Sequence, residues 1–565
     1  MSTRSPGDRR PVADADVCIV GSGPAGALVA DALAARGRRV TVLDAGERYS
    51  PRDRSRWAEL WLRPDFDHND FWLDDDRDAY SSSGEIFARL NDVRVKGVGG
   101  SSLLWNGNTP RLHERDFESV ERDGTGVDWP IGYDDLRPYY AAAEREMGVS
   151  GEDDNPHGPP REEPFPMPGF PRSYSDRLFA EACDALGISM ATQPKAIASE
   201  ADGDRPACDG YGVCNACPVG AKYTAEQHVH RAEERGATVI DRAQVLELEH
   251  DERGERVTAA VYATPDGKTH RQEATTFVLA AGGIETPRLL LLSDSDVYPD
   301  GMANTSGAVG RYLMDHSEIE VHAVLEDEHT WQNNIGFVSS RSDQFYTPDE
   351  GVPGSFALVF HNTAGPTAGG FMQSKTAVQQ LRTLAGNPDA ETFEETVSDP
   401  FNSVRLGDDL FDDVDSAGTH GVGIRAVSEV LPRAENRVTL DESTTDNHGR
   451  PVPDVSLQYG DHERETLDYA EEVVRDVMDE LGAEVTSVVD IDDSKLMGSH
   501  HIGTTRMGSD PQSSVVDADC RTHDLDNLWV ASSSVFPTSG AVNPTLTIGA
   551  LSLRVAEHVD SVLTG

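Results

Sequence analysis

Residues 16–26 read DVCIVGSGPAG, a short apolar run that leads into three glycines at G-x-G-x-x-G spacing. Residues 25–36 have helical spacing, and residues 40–43 form a second apolar run. A strand, a tight turn, a helix and a second strand in this order are the fingerprint of a dinucleotide-binding fold. In that fingerprint Gly21 permits the turn, Gly23 lets the backbone approach a pyrophosphate, and Gly26 lets helix and strand pack closely.

Asp44 ends the second apolar run, about 20 residues after the glycines, where an acidic side chain binds ribose hydroxyls. A carboxylate there disfavours NADP, whose 2′-phosphate it would repel. The fingerprint does not separate FAD from NAD. The alternative is a glycine turn in an ordinary α/β unit without a ligand.

Apolar runs of strand character recur at residues 276–280 and 527–531. A chain of 565 residues is too long for one core, so two packed domains are expected. We therefore predict an α/β class, α+β overall, with a discontinuous Rossmann-like domain made of residues 1–310 and 491–565 and a connector at about 150–205. Residues 311–490 are predicted to form an inserted substrate-binding domain with an antiparallel sheet.

The chain has 99 acidic and 49 basic residues, a formal net charge of −50. Such a charge repels nucleic acid and anionic membranes, so neither is an expected partner. The acidic groups also repel one another. Concentrated salt screens this repulsion, because the Debye length shortens to roughly 3 Å at 1 M. This composition predicts a halophilic host, and the alternative is an acidic protein of a mesophile.

No apolar run approaches the roughly 18 residues that a membrane-spanning helix needs. Arg9-Arg10 is compatible with a twin-arginine export signal, which needs a separate apolar segment after the arginines. Here the next apolar stretch is the first strand of the nucleotide fold, which argues against such a signal. We therefore expect a cytoplasmic protein, or one that is exported only together with a partner subunit.

Three of the six cysteines cluster, namely Cys208, Cys214 and Cys217, and Pro218 follows them. Six cysteines are too few for a disulfide scaffold in a chain of this size. Three thiolates suit an iron–sulfur centre. A [4Fe–4S] cluster usually takes four cysteine ligands, so three cysteines favour a [3Fe–4S] cluster. The alternative is a loop with a disulfide or free thiols.

The C-terminal part of the chain offers a base and a neutral polar partner, His500 and Asn543. Imidazole titrates near neutral pH, so it can take the proton of an alcohol while a bound dinucleotide takes the hydride. Pro544-Thr545 suits the start of a helix, whose N-terminus would favour negative charge on the reduced cofactor. Upstream, Gly99, Gly100, Ser101 and Asn106 lie in a small-residue run that lets the backbone approach a flat ligand.

Together these motifs resemble, nearly end to end, the glucose–methanol–choline (GMC) family of flavoprotein oxidoreductases. The resemblance rests on residues 21–26, residues 99–106, AGGIETP at 281–287, the His500-x-x-Gly503-Thr504 motif and Asn543-Pro544-Thr545. Within that family the chain is most similar to the catalytic subunits of bacterial FAD-dependent sugar and polyol dehydrogenases. The matching runs there are residues 208–222, VGRYLMDH at 309–316 and residues 514–522.

The resemblance implies FAD as the dinucleotide, His500 as the base and Asn543 as the donor to the same substrate oxygen. His501 is the alternative base if the register is shifted by one residue. Some relatives attach the flavin covalently through a histidine at the place that Leu104 matches, so a non-covalent FAD is expected. The resemblance also implies an iron–sulfur cluster that passes electrons to a cytochrome partner.

The leading hypothesis is a dehydrogenase that oxidises a sugar, polyol or other alcohol and passes electrons to a non-O₂ acceptor. The expected partners are an electron-acceptor protein or a small export subunit. Three alternatives stay open: an oxidase that uses O₂, a non-redox FAD-containing lyase, and a flavin-bearing structural subunit.

Overall fold

The computed structural model of the chain describes residues 8–50, 53, 55–57, 72–124, 126–210, 214, 215, 217–330, 338–347, 351–361, 420–491, 495 and 497–565. Two large sheets organise these residues, and the glycine loop follows the C-terminal end of β1 (Ala15–Val20), an interior strand of the first sheet.

The first sheet has seven strands. Its order is β7 (Thr238–Ile240), β2 (Val40–Leu43), β1 (Ala15–Val20), β10 (Thr269–Leu279), β9 (Val257–Ala263) and β8 (Gln244–His250), while β18 (Leu528–Val530) also pairs with β10. The end of β10 pairs in parallel with β1 and β18, whereas its beginning pairs antiparallel with β9. The early, middle and late apolar runs of the sequence therefore meet in one sheet.

Helices cover this sheet. The first helix, Pro24–Ala35, packs against Glu226–Glu234 and against the final helix, Thr545–Thr564, which in turn packs on Tyr133–Met147. Nine of the twelve residues of the first helix are buried, since β1 and β2 beneath it are apolar along their length.

The second sheet has six strands, all antiparallel. Its order is β17 (Glu484–Val489), β11 (Ser317–Val324), β14 (Gly421–Ser428), β13 (Phe356–His361), β12 (Val338–Ser342) and β6 (Ala191–Thr192). One face packs on the helices Asp461–Leu481 and Tyr174–Leu186. Burial alternates along β11, so its other face carries Glu318, Glu320 and His322.

Smaller elements complete the described fold. Strands β3 (Ser81–Ser82), β15 (Arg437–Thr445) and β16 (Pro451–Ser456) form a three-stranded sheet, and β4 (Ser150–Gly151) pairs with β5 (Met167–Pro168). The remaining helices are Leu90–Val93, Ser119–Asp123 and Gly282–Leu292, with 3₁₀ turns at Gly100–Leu103, Glu114–Phe117 and Ser533–Val535.

The predicted fold class, an α/β nucleotide-binding sheet combined with an antiparallel sheet, is confirmed. The boundaries 1–310, 311–490 and 491–565 stay a prediction. One strand of the second sheet, β6, comes from the segment predicted as the connector. Among the described residues, no helix combines the length and the apolar character that crossing a membrane requires.

Candidate active site

The glycine loop joins β1 to the first helix with little room for side chains. Gly21 has a φ of +95°, and a Cβ there would lie 2.5 Å from the carbonyl oxygen of Ala280. A Cβ at Gly26 would collide with the carbonyl of Gly21. Gly23 is different, since a Cβ there would meet nothing closer than 3.8 Å. Gly21 and Gly26 therefore allow the turn, while the backbone at Gly23 is open to a ligand.

The second glycine pair touches the first loop. Gly99 and Gly100 have φ values of +106° and +57°, and a Cβ at Gly100 would lie only 2.8 Å from the Cα of Gly23. Ser101 lies in the 3₁₀ turn Gly100–Leu103, and its Oγ accepts a hydrogen bond of 3.1 Å from the backbone of Val95. Two small-residue turns thus form adjoining walls of one cavity.

Asp44 lies at the end of β2 on the same cavity. Its Oδ2 accepts hydrogen bonds from the backbone nitrogen and the hydroxyl of Ser22, at 3.0 and 2.6 Å, and its Oδ1 accepts from Gly46 at 2.9 Å. Burial raises the pKa of this carboxyl, and these hydrogen bonds oppose the shift. Asp44 therefore fixes the glycine loop, and its predicted contact with a ribose stays a prediction.

The cavity has a volume of about 700 Å³ and contains unsatisfied acceptors. The side-chain oxygens of Asn106 and Asn108 are buried there, and neither has a hydrogen-bond partner among the described residues. Buried acceptors without donors are costly, so a ligand that brings hydroxyl or N–H groups would stabilise them. FAD carries such groups, and the glycine turns leave space for its pyrophosphate, so these residues fit that cofactor.

His500 and Asn543 meet on the wall of this cavity. The amide nitrogen of Asn543 lies 2.9 Å from Nε2 of His500, although 43 positions separate the two residues. Met314 and Ile502 pair through backbone hydrogen bonds of 2.9 and 3.0 Å, which ties the His500 segment to the start of β11.

His501 also lines the cavity, but its surroundings differ from those of His500. Its carbonyl packs so closely on Gly283 that a Cβ there would collide with it. Its Nε2 is buried and has no hydrogen-bond partner among the described residues, and burial lowers its pKa to about 3. The structure brings His500, and not His501, into hydrogen-bond contact with Asn543.

His500 is a neutral imidazole at ordinary pH. Its pKa is well below the usual value of 6.5 because burial disfavours the charged form, and the neighbouring His316, His501 and Arg425 lower it further. A neutral imidazole has one nitrogen lone pair that can accept a proton.

Asn543 directly precedes the final helix. Pro544 caps that helix, Thr545 begins it, and both residues line the cavity. The first backbone N–H groups of a helix have no partners within it and carry the positive end of the dipole. This end of the cavity therefore favours negative charge.

The six-stranded sheet also lines this cavity. Arg425 on β14 lies between Glu318 and Glu320 of β11, with N–O distances of 3.2 and 2.9 Å. Glu318 and Arg425 line the cavity together with His500. Among the described residues of this wall, two carboxylates pair with the one guanidinium, so no positive charge there is unpaired.

The three predicted cysteine ligands lie together, and Asn215, which follows Cys214, lines the cavity. Cys208, Cys214 and Cys217 pack in one small cluster with Phe170, Ile197 and Ala221, and all three are free thiols. Burial raises the pKa of Cys208 to about 11 and that of Cys214 above its usual value. The ammonium of Lys195 is buried without a hydrogen-bond partner among the described residues, and its charge interacts with Cys214 and Cys208.

Sequence reasoning assigned no role to Asp315, His316, Glu318 or Arg425. Asp315 and His316 stand inside the VGRYLMDH run, which marked the segment without indicating a contact with His500. Nothing in the sequence indicated Arg425, because its partners lie on another strand and Glu320 is 105 positions away.

The chain matches family models along most of its length. Residues 88–318 and 432–552 match two GMC oxidoreductase models, and residues 14–59 match an FAD binding domain. It is 34% identical to the fructose dehydrogenase large subunit of Gluconobacter japonicus, over 96% of this chain and 97% of that protein. It is 29% identical to 2-methyl-1,2-propanediol dehydrogenase of Mycolicibacterium austroafricanum, over 96% of this chain and 95% of the other.

A solved structure shares the fold. The crystal structure of pyridoxine 4-oxidase from Mesorbium loti superposes with a TM-score of 0.64 at 20% identity, covering 96% of this chain and 99% of that one. Together with the glycine turns and the cavity that fits FAD, these matches identify the chain as a member of the GMC oxidoreductase family, an FAD-dependent enzyme that oxidises CH–OH groups.

Proposed function

We propose that the enzyme oxidises a CH–OH group of a neutral polyhydroxylated substrate, a sugar or polyol, with His500 as the base and Asn543 as the residue that orients the hydroxyl. The observation that carries this proposal is the 2.9 Å contact between Asn543 and Nε2 of His500 on the cavity that fits FAD. A substrate hydroxyl that replaces this contact would donate its proton to the imidazole and accept a hydrogen bond from the amide.

The chemistry divides into two transfers. The residues of the glycine turns would hold FAD, which would supply the hydride acceptor for the alcohol carbon. His500 accepts the hydroxyl proton, so the alcohol becomes a carbonyl and the enzyme gains one proton. Asn543 stabilises the negative charge that develops on the oxygen. The helix that starts at Thr545 directs its N-terminal N–H groups towards the same end of the cavity.

The charges of the substrate wall favour a neutral substrate. Arg425 is held by Glu318 and Glu320, so an incoming carboxylate would compete with two existing anions for one cation. Hydroxyl groups can instead share both partners, accepting from the guanidinium and donating to Glu318. We infer a preference for sugars and polyols over sugar acids.

We also infer that electrons leave through Cys208, Cys214 and Cys217 to an acceptor other than O₂. The support is Lys195, a buried cation next to thiols that are neutral when no metal is bound. Metal-bound thiolates would supply the missing negative charge, and the three sulfurs suit a [3Fe–4S] cluster. The test is iron and sulfide analysis of the purified enzyme beside Cys214→Ser, which should lose the cluster.

A partner subunit is part of the proposal. The relative from Gluconobacter japonicus is named as a large subunit. We infer that this chain likewise associates with an electron-acceptor protein or a small export subunit, and that it is cytoplasmic unless such a subunit exports it. Co-purification of the tagged chain from its host, in high salt, tests this inference.

The direct test of the reaction is anaerobic bleaching of the flavin in high salt. Neutral sugars and polyols should reduce the flavin, whereas the corresponding aldonates should reduce it more slowly. Aerobic turnover should yield little peroxide compared with turnover on an artificial acceptor. An oxidase would give stoichiometric peroxide, and the absence of bleaching by every alcohol would overturn the proposal. FAD should appear in the supernatant after acid denaturation. Leu104 stands where some relatives have the histidine that links the flavin, so the FAD is proposed to be bound non-covalently.

A further inference from the structure

His500 has a second hydrogen-bond partner, on the side away from the cavity. Nδ1 of His316 lies 2.7 Å from Nδ1 of His500. The two rings meet nearly edge to face, with an interplanar angle of 78°. A contact of this length between two nitrogens requires one proton between them, so one ring donates and the other accepts.

The far side of His316 decides which ring donates. Its Nε2 lies 3.0 Å from the carbonyl oxygen of Gly540 and 3.3 Å from that of Ser539. Carbonyl oxygens only accept hydrogen bonds, so the proton of His316 is on Nε2. Burial lowers the pKa of His316 to about 4, which leaves the ring neutral with a single proton. Nδ1 of His316 is therefore the acceptor, and Nδ1 of His500 is the donor.

Asn543 leads to the same assignment from the other end. Its amide nitrogen donates to Nε2 of His500, so that nitrogen has no proton. The two independent contacts agree that His500 carries its proton on Nδ1 and that its Nε2 lone pair accepts from Asn543, which lines the cavity.

The fold holds the two histidines in this relation. Oδ1 of Asp315 accepts hydrogen bonds from the backbone nitrogens of His316 and His500, at 2.8 and 3.1 Å. One carboxyl thus fixes both backbone positions, beside the Met314–Ile502 pair.

We propose that His316 is a positioning residue that fixes the tautomer of His500 by accepting a hydrogen bond from its Nδ1–H. This inference rests on the proposed role of His500 as the base. Histidine tautomers at functional sites are set in this way by the group that the other ring nitrogen contacts. Here the acceptor is a neutral imidazole, so it adds no charge that would raise the pKa of His500.

Two near-isosteric variants separate this role from packing. His316→Asn keeps an acceptor at the place of Nδ1, whereas His316→Gln keeps a polar group at the place of Nε2 and removes that acceptor. His316→Gln should lower the rate constant of anaerobic flavin reduction roughly 10- to 100-fold, the loss typical for removal of an orienting partner. Substrate affinity and FAD content should change little, and His316→Asn should recover most of the rate.

A measurement without substrate makes the test independent of turnover. ¹⁵N spectra of the histidine-labelled, deuterated holoenzyme, assigned by loss of the resonances in His500→Gln, should show His500 protonated on Nδ1 in the wild type. The proton should move to Nε2 in His316→Gln and remain on Nδ1 in His316→Asn. The pH profile of flavin reduction should shift in His316→Gln. His501, Arg425 and Asp315 are the other titratable groups around His500, and they contribute to the profile in the wild type and in both variants.

The outcomes distinguish the two proposals. An Nε2-protonated His500 in the wild type, or equal rates in His316→Gln and His316→Asn, would overturn the role of His316. Normal flavin reduction in His500→Ala would instead remove His500 as the base, whatever its tautomer.

Discussion

The side-chain nitrogen of Asn543 lies 2.9 Å from Nε2 of His500, and both residues lie on a cavity that Gly21 and Gly23 also line. The pair joins two segments that the sequence places 43 residues apart. This contact defines where a substrate hydroxyl is expected to bind, and it gives Asn543 a role that can be tested separately from the role of His500.

Asn543→Ala is expected to lower the rate constant of flavin reduction by roughly 10²-fold, because it removes a hydrogen bond that strengthens as the oxygen gains negative charge. Stopped-flow reduction at saturating substrate measures the effect, with FAD content as the control. A variant that loses affinity for substrate but keeps the wild-type rate constant would show that Asn543 only binds the ground state.

Asp315→Asn is expected to stabilise the protein more at pH 8.5 than at pH 5. Burial raises the pKa of Asp315 to about 8, so the folded state binds its proton more tightly than the unfolded state does. The stability from this group is full below its ordinary pKa of 3.8 and is lost as pH rises towards 8. Asparagine keeps the acceptor for His316 and His500 but does not titrate.

The measurement for Asp315 is the difference in Tm between variant and wild type across that pH range. Asp294→Asn, at an exposed position, is the matched control and should show a pH-independent difference near zero. A Tm difference for Asp315→Asn that is the same at both pH values would contradict the raised pKa.

Glu285→Gln is expected to destabilise the fold by about 3–5 kcal/mol, the cost of leaving buried charges uncompensated. Glu285 contacts Arg94, Lys96 and Arg288 at 2.8, 3.0 and 3.1 Å, and their charges hold its pKa well below the usual value. Denaturant unfolding in constant high salt measures the loss. Glu273→Gln, at an exposed ion pair, should change stability by less than about 0.5 kcal/mol.

The net charge of −50 predicts that Tm falls as KCl is lowered from roughly 2 M to 0.1 M, since repulsion between the acidic groups is then no longer screened. Differential scanning calorimetry across the salt series tests this. An unchanged Tm in dilute buffer would favour the mesophilic alternative.

Much of the nucleotide-binding sheet could be predicted from sequence because its determinants are local. The glycine spacing at 21–26 and the apolar runs at 15–20, 40–43 and 276–279 each specify their own segment, and parallel pairing brings them together. His500 and Asn543 were predicted as a pair in the same way, from short motifs, and the structure places them in contact.

The substrate wall and the His316 contact could not be predicted, because they depend on strand register. His316 reaches His500, which is 184 positions away, only through the Met314–Ile502 pairing. Arg425 meets Glu318 and Glu320 because β14 lies beside β11 with Arg425 directly opposite Glu320. A one-residue shift of that register would turn Arg425 to the helix-covered face.

The central claim is tested most directly by anaerobic flavin reduction in His500→Ala, measured by stopped flow at equal FAD content with the best substrate of the sugar and polyol panel. The proposed role of His500 as the base predicts a rate constant lower by roughly 10²–10⁴-fold. His230→Ala, at an exposed position on the helix Glu226–Glu234, should match the wild type. A His500→Ala enzyme that reduces its flavin at close to the wild-type rate would contradict the account.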